Sequence, residues 1–253
     1  MRLKFISSVS FIILSYGFAD HLVVPDHLTD WNVLQESDVW VGWTMKDDIQ
    51  WCRSEKILPF EMEHISHIIE DKENYNAHPY QKLPVIKKYK NGNTLENLKW
   101  GIVPSWSKKK DFKPLINARL ETIDEKISFK KLIKLYRCIA VADGFYEWKR
   151  EEKNKIPYYF LREDKKIIYM AGIYENNEFC LITEQANKNV NEIHNRQPVI
   201  LNEKDVNRYL NLELSGSDFL KECKKTNLTF YEISKEVNKP TNNSISLIQQ
   251  KLN

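Results

Sequence analysis

Residues 137–149 read Arg-Cys-Ile-Ala-Val-Ala-Asp-Gly-Phe-Tyr-Glu-Trp-Lys, and this stretch decides the fold. A mostly apolar run precedes the Asp143-Gly144 pair, and an aromatic-rich run follows it. Short runs of this kind on either side of a turn dipeptide predict two β-strands, over residues 137–142 and 145–149. A chain built around such strands needs further strands beside them to bury their apolar side chains.

The sequence on both sides supplies those strands. Strands are predicted at Leu83–Tyr89, Leu98–Val103, Tyr158–Leu161, Ile167–Ile173, Phe179–Thr183 and Thr229–Ile233, with a turn at Asn91-Gly92 after the first. Helices are predicted at Pro59–Ile69, Ser128–Leu135, Ala186–Ile193 and Glu203–Leu210. Many strands with irregularly interspersed helices predict an α+β fold, in which helices flank a curved, barrel-like, mostly antiparallel sheet.

Composition limits the kinds of site that the chain can hold. The chain has 253 residues, 42% hydrophobic and 29% charged, which is ordinary for a globular protein. Its net charge is only +3, so a surface for nucleic acid has to be a local patch. The four cysteines are widely spaced without a C-x-x-C pair, which argues against a zinc site or a disulfide framework. We therefore expect no metal and no cofactor.

The first 51 residues differ from the rest. A basic start and a short apolar run, Phe5–Leu14, precede Gly17-Phe18-Ala19, which is typical of a secretory signal, although the run is too short to span a membrane. A pro-segment or a true start further along, such as Met45, explains the same residues without secretion. We expect residues 1–51 to be an atypical N-terminal extension and residues 52–253 to form one monomeric domain that does not bind membranes.

Six segments carry a family resemblance. In chain order they are Tyr75–Pro79, Trp100–Trp106, Ile116–Thr122, Arg137–Lys149, Ile193–Val199 and Val237–Pro240. Together they resemble the SOS-response-associated peptidase family, whose members process abasic sites in DNA. The resemblance implies a cytoplasmic, nucleoid-associated protein of the DNA-damage response that senses abasic sites in single-stranded DNA and crosslinks to them without a cofactor.

The implied crosslink depends on an N-terminal cysteine, and Cys52 falls at that position. In the family the α-amine attacks the aldehyde of the opened sugar, and the thiol then closes a thiazolidine ring. An α-amine, with a pKa of about 7.7–8.0, has a usable neutral fraction near pH 7. Cys52 is internal, after Trp51, so this chemistry requires cleavage before Cys52, by the protein itself or otherwise, or a misassigned start of the coding sequence.

Three further residues take catalytic roles under the resemblance. Glu147 would exchange protons as the adduct dehydrates or the sugar opens, because a carboxyl enclosed by aromatic residues can have a raised pKa. His194 would hydrogen-bond the sugar or relay a proton, and Asn76 would orient the amine or the sugar. The plain interpretations are a solvent-facing strand glutamate, a helix-end histidine and a turn asparagine.

DNA contacts are implied at Arg119, Asn117, Trp106 and Trp100. Arg119 would bind a phosphate beside the lesion through its planar guanidinium. The two tryptophans would stack on or wedge between bases, although Trp100, inside a predicted strand, also suits the core.

Other functions stay open. A degenerate member would bind single-stranded DNA without crosslinking, and a cysteine peptidase would use Cys52 as nucleophile with His194 as base. A Schiff base at an abasic site also permits strand cleavage by β-elimination, so lyase activity is a further expectation.

Overall fold

The computed structural model describes residues 43–45, 62–65, 73–89, 92–109, 111–152 and 154–251. In chain order the strands are β1 (Trp43–Met45), β2 (Met62–Ile65), β3 (Asn74–Ala77), β4 (Lys82–Tyr89), β5 (Gly92–Trp100), β6 (Asn117–Arg119), β7 (Arg137–Ala142), β8 (Gly144–Glu151), β9 (Asn154–Arg162), β10 (Ile168–Glu175), β11 (Glu178–Gln185), β12 (Arg196–Pro198), β13 (Ile200–Leu201) and β14 (Leu228–Glu232). The helices are α1 (Leu132–Leu135), α2 (Glu203–Leu210) and α3 (Asp218–Glu222). Short 3₁₀ helices lie at Leu120–Thr122, Val190–Glu192, Lys235–Asn238 and Ile245–Ile248.

The strands form two sheets. The smaller sheet has the order β14-β9-β8-β1-β3, and the larger has the order β12-β11-β10-β7-β4-β5-β2, with β13 on β10 and β6 on β11. Because β11 also pairs with β5, strands β5, β4, β7, β10 and β11 close a ring of hydrogen bonds. The pairings β2–β5, β5–β11 and β6–β11 are parallel, and the rest among the described strands are antiparallel. The predicted α+β fold class, with its curved and mostly antiparallel sheet, is confirmed.

The 137–149 stretch links the two sheets. Strand β7 pairs with β4 and β10 in the larger sheet, whereas β8 pairs with β1 and β9 in the smaller one. The crossing requires glycine at position 144, since a Cβ there would lie 2.4 Å from the Phe160 carbonyl oxygen and 2.4 Å from the Tyr159 ring. The predicted pair of strands is thus present, with one strand in each sheet.

Strand β7 is buried on both faces, which explains its continuous apolar run. Its alternate residues enter different clusters. Ile139 and Val141 pack with residues of α2 and α3, whereas Cys138, Ala140 and Ala142 pack between the two sheets. At about 25 cal/mol per Å² of apolar area buried, a strand covered on both faces contributes strongly to stability.

The C-terminal segment covers the other face of the smaller sheet. Tyr146 and Trp148 of β8 pack against this segment in a third cluster, which includes Val237. Because successive strand residues point to opposite faces, Glu147 shares the face of Phe145, which packs between the sheets. The fold thus directs one carboxyl group into the protein interior.

Two predicted helices are wrong. The described part of Pro59–Ile69, Met62–Ile65, is strand β2 and pairs with β5, and the rest of that prediction lies outside the described residues. In Ala186–Ile193, only Val190–Glu192 is helical, as a 3₁₀ turn. The Asn187 side chain accepts a hydrogen bond from the Val190 amide at 3.0 Å, which starts a single turn rather than a longer helix.

The remaining predicted strands and helices are present, most of them with shifted ends. Glu203–Leu210 and Arg137–Ala142 match α2 and β7 at both ends, whereas the helix predicted at Ser128–Leu135 shortens to α1. The strand predicted at Leu98–Val103 instead runs from Gly92 to Trp100. The strand is followed by Gly101, whose φ of +130° is a conformation that favours glycine. Within the described ranges, no helix is both long and apolar enough to cross a bilayer.

Candidate functional site

Glu147 is a buried carboxyl group in the middle of β8. Only 2% of the residue is exposed, and its Oε1 has no hydrogen-bond partner among the described residues. Burial raises the pKa of Glu147 well above its ordinary value, against a hydrogen bond from the Trp148 backbone that lowers it. A raised pKa favours the protonated form of the carboxyl group, which is the form suited to act as a general acid.

His194 lies beside Glu147, with 3.9 Å between Nδ1 and Oε2. The Arg196 backbone contacts Nδ1 twice, since its N–H lies 3.1 Å and its carbonyl oxygen 3.3 Å from this nitrogen, so Nδ1 is engaged by the turn in either tautomer. Burial lowers the pKa of His194, against a hydrogen bond with the Arg196 backbone that raises it, and the charges of Arg150 and Arg196 lower it further. The site therefore pairs a buried carboxyl group of raised pKa with an imidazole of lowered pKa, and both shifts favour the uncharged form.

Arg196 is held by a carboxylate that the sequence reasoning did not single out. Glu121 accepts two hydrogen bonds from the guanidinium of Arg196, at 2.7 and 2.9 Å, and Arg196 also donates to the Thr183 carbonyl oxygen at 2.8 Å. The hydrogen bonds from Arg196 hold the pKa of Glu121 below its ordinary value. Because the Arg196 backbone contacts His194, Glu121 stabilises the turn that positions the imidazole. Glu121 lies in the 116–122 segment, one of the six that resemble the family, and this was the sequence feature that could have identified it.

Asn76 joins β3 to the C-terminal segment. Its Nδ2 lies 3.2, 3.0 and 3.1 Å from the carbonyl oxygens of Val237, Lys239 and Asn242. These contacts fix the orientation of the amide. Its Oδ1, also buried, has no hydrogen-bond partner among the described residues. Asn76 therefore holds β3 to the C-terminal segment and retains one buried acceptor oxygen. It lies in a strand and is not the turn residue of the plain interpretation.

We expect Asn76→Asp to destabilise the protein by about 2–3 kcal/mol, since buried polar groups left without partners cost about 1–3 kcal/mol each. The substitution removes the donors that serve Val237, Lys239 and Asn242 and directs a carboxylate at their oxygens. Urea unfolding would measure the loss, with exposed Asn211→Asp as the control. Equal stability of Asn76→Asp and the unsubstituted protein would contradict this role of Asn76.

The predicted DNA-contact residues differ in accessibility. Arg119 is exposed and Asn117 half-buried, both on β6, which pairs with β11. Strand β11 also pairs with β12, so Arg119 and Arg196 lie on two strands that share a neighbour. Trp106 is 51% exposed and packs edge-on against Phe112, with 6.1 Å between ring centroids.

Trp100 is a core residue, and its predicted DNA contact is wrong. None of its surface is exposed, and it stacks on Phe179 with 6.5 Å between ring centroids. Its indole N–H donates to the Ile116 carbonyl oxygen at 2.9 Å. The indole has neither a free face nor a free donor for a base, and it anchors the β5 end to the segment before β6.

The remaining predicted site residue, Cys52, lies outside the described residues. In the described part of the chain, no group of three or more His, Cys, Asp or Glu side chains is arranged to hold a metal ion. The catalytic candidates that the structure describes are therefore Asn76, Glu147 and His194. Of these, Glu147 and His194 are in contact.

Solved structures share this fold. A crystal structure of a protein from Bacteroides thetaiotaomicron matches with a TM-score of 0.61 and 28% identity, over 68% of this chain and 82% of that one. A phage-related protein from Bordetella bronchiseptica matches with a TM-score of 0.60 and 21% identity, over 78% of this chain and 94% of that one. At this lower identity the second likeness concerns the fold alone.

Sequence relatives add the family. The abasic site processing protein YoqW of Bacillus subtilis is 36% identical over 191 residues, which are 70% of this chain and 85% of YoqW. The abasic site processing protein YedK of Escherichia coli is 30% identical over 208 residues, 77% of this chain and 89% of YedK. The family model for the SOS response associated peptidase (SRAP) matches residues 49–240. This chain belongs to the SRAP family.

Proposed function

We propose that the protein senses abasic sites in single-stranded DNA and crosslinks to them through a thiazolidine at Cys52. The observation that carries this proposal is the Glu147 carboxyl group, which is buried, lies 3.9 Å from His194 and has one oxygen without a hydrogen-bond partner among the described residues. The abasic site processing proteins to which the chain is similar supply the substrate class. The exposed Arg119 and Trp106 supply a cation and an aromatic face for a DNA strand.

The chemistry takes place at an opened abasic deoxyribose, which carries an aldehyde. The α-amine of Cys52 adds to the carbonyl carbon and gives a carbinolamine, which loses water to become a Schiff base. The Cys52 thiol then adds across the C=N bond, with its proton passing to nitrogen. One water leaves in total, no electrons are exchanged, and no cofactor is needed.

Glu147 and His194 serve different steps in this proposal. Glu147, protonated, donates to the hydroxyl group of the carbinolamine as water departs. His194 presents Nε2 to a sugar oxygen, because Nδ1 faces the Arg196 backbone. The unpartnered oxygens of Glu147 and Asn76 are acceptors that an amine can satisfy. Abstraction of a sugar proton next to the Schiff base would cleave the strand, which is the proposed lyase side reaction.

Exposure of Cys52 is part of the proposal. Hydrolysis of the Trp51–Cys52 peptide bond, by the protein itself or by another peptidase, frees the amine, and a start at Cys52 after an initiator methionine does the same. We further propose that residues 52–253 act as one monomeric domain, associated with the nucleoid where its DNA substrate lies.

The decisive comparison is between the full chain and a chain that begins Met-Cys52. We expect the shorter chain, once its methionine is removed, to form a denaturation-resistant adduct with a single-stranded oligonucleotide that carries one abasic site. The full chain should react only after losing residues 1–51, because an internal cysteine has no free α-amine. Denaturing gels and intact mass would report the adduct and the N-terminus together.

Two controls fix the meaning of that result. The shorter chain with Cys52→Ala and an oligonucleotide without the abasic site should both give no adduct. If the shorter chain also gives none, the thiazolidine assignment fails. Equal binding of that chain to intact and abasic strands would then make the protein a non-covalent binder of single-stranded DNA.

A further inference from the structure

Hydrogen bonds hold the first part of the loop that carries Trp106, from Ile102 to Ser107. The loop begins at Gly101, directly after β5, and the Ile102 amide and carbonyl bond to Leu115 at 3.0 and 2.8 Å. The Ser107 amide donates to the Pro104 carbonyl oxygen at 2.8 Å and closes a turn around the indole. Although Trp106 is half exposed, the backbone on both sides of it is fixed.

Two carboxylates of the β10–β11 hairpin hold the middle of this loop. Glu175 accepts from the Ser105 hydroxyl at 2.8 Å and from the Ser105 amide at 3.2 Å. Glu178 accepts from the Val103 amide at 2.8 Å. The two glutamates face each other at the hairpin end, so one tight hairpin anchors two successive parts of the loop.

These acidic groups need an explanation if the loop contacts DNA. A carboxylate beside a phosphate-binding surface repels the strand, and its removal by itself should tighten binding. The Glu175 carboxylate is oriented by two donors of Ser105, and charge-assisted hydrogen bonds of this kind fix geometry well. The position of the Glu175 carboxylate therefore fits a role in holding the loop better than a contact with DNA.

We infer that Glu175 is a positioning residue for DNA binding, which acts by holding the Ser105–Trp106 turn so that the indole is presented to a base. This inference rests on the proposed DNA contact of Trp106. Glu178 holds the same loop two residues before Ser105, by accepting the hydrogen bond from the Val103 amide. The ordering is completed before DNA arrives, so binding does not have to fix the loop.

The test is a double-substitution cycle on the full chain. Binding of an undamaged fluorescent single strand is measured by anisotropy, so the crosslink plays no part. We expect Glu175→Ala to weaken binding about fivefold to tenfold, in opposition to the change that its lost charge would cause. Glu175→Gln, which keeps an acceptor for Ser105, should bind within about twofold of the unsubstituted protein. In a Trp106→Ala background, Glu175→Ala should weaken binding no further.

Controls and contrary results separate this inference from the proposed function. Glu213→Gln removes one negative charge from an exposed ion pair with Arg208 and should leave binding unchanged. Unaltered or tighter binding by Glu175→Ala, or the same loss in the Trp106→Ala background, would overturn the positioning role alone. If Trp106→Ala binds like the unsubstituted protein, the DNA contact of Trp106 fails and the inference fails with it.

Discussion

The Glu147→Gln protein is expected to lose crosslinking and to become more stable at neutral pH. Glutamine keeps the size and hydrogen-bonding capacity of the protonated side chain but has no proton to transfer. General acid catalysis by a positioned group contributes about 10²–10⁴-fold in rate. We therefore expect the crosslinking rate of the chain that begins at Cys52 to fall by about two to four orders of magnitude.

The gain in stability follows from the raised pKa of Glu147. The unfolded carboxyl group ionises near its ordinary value of 4.5, whereas the folded one keeps its proton to higher pH. Between these two pKa values the folded state binds more protons than the unfolded state, so stability falls as pH rises. The glutamine variant escapes this loss. Its advantage should be absent below pH 4.5, grow above it, and level off beyond the folded pKa.

Two measurements check this pair of effects. Thermal unfolding from pH 4 to pH 9 should show the Tm difference growing with pH, at about 2–4 °C for each kcal/mol. The crosslinking rate of the chain that begins at Cys52 should fall as pH rises through the pKa of Glu147, and the same chain with Glu147→Gln should lack that dependence. Glu151→Gln, on the exposed end of the same strand and ion-paired with Lys149, is the control. A variant that crosslinks normally would show that Glu147 does not transfer the proton.

Structure could be predicted most accurately where the residues of a single segment determine its conformation. Strand β7 could be placed from its own residues because both of its faces are buried, which requires an unbroken apolar run. The helix α2 could be placed because it has an amphipathic period and an acidic first turn. Glu147 stood out because aromatic residues surround it in the chain, and the structure shows that it is buried.

Contacts between distant parts of the chain could not be predicted. Glu121 and Arg196 are 75 residues apart, and Asn76 and Val237 are 161 apart, so no local pattern links either pair. Trp100 was ambiguous for a related reason. A tryptophan in a family motif either packs in the core or contacts a ligand. Which of these it does depends on whether another side chain, here Phe179, covers it. The ring of strands is also non-local, because β11 reaches back to β5.

Arg137 also makes contacts with distant parts of the chain, which its position at the start of a predicted strand did not indicate. It is 2% exposed, and its guanidinium donates to four carbonyl oxygens. These belong to Ile133 at 2.7 Å, Tyr209 at 3.2 Å, Leu214 at 2.7 Å and Gly216 at 2.9 Å. The first two lie in α1 and α2, and the others in the loop that follows α2. One side chain therefore joins three segments to β7.

We expect Arg137→Met to lower the free energy of unfolding by about 3–5 kcal/mol, because it removes four hydrogen bonds donated by one buried, charged side chain. Urea unfolding would measure this loss. Lys221→Met, which breaks an exposed ion pair with Asp218, should cost about 1 kcal/mol or less. Arg137→Lys should fall between them, since an ammonium group cannot serve four separated acceptors at once, and it provides a folded variant if the methionine variant is too unstable.

The same variants distinguish a structural anchor from a residue of the site. Arg137 is the first residue of β7, whereas the chain enters β8, and so reaches Glu147, from the far end of that strand. The folded fraction of Arg137→Lys should therefore crosslink at an unchanged rate. A loss of rate that exceeds the loss of folded protein would place Arg137 in the catalytic machinery. A loss of stability of less than about 1 kcal/mol in Arg137→Met would show that water replaces the guanidinium at those carbonyl groups.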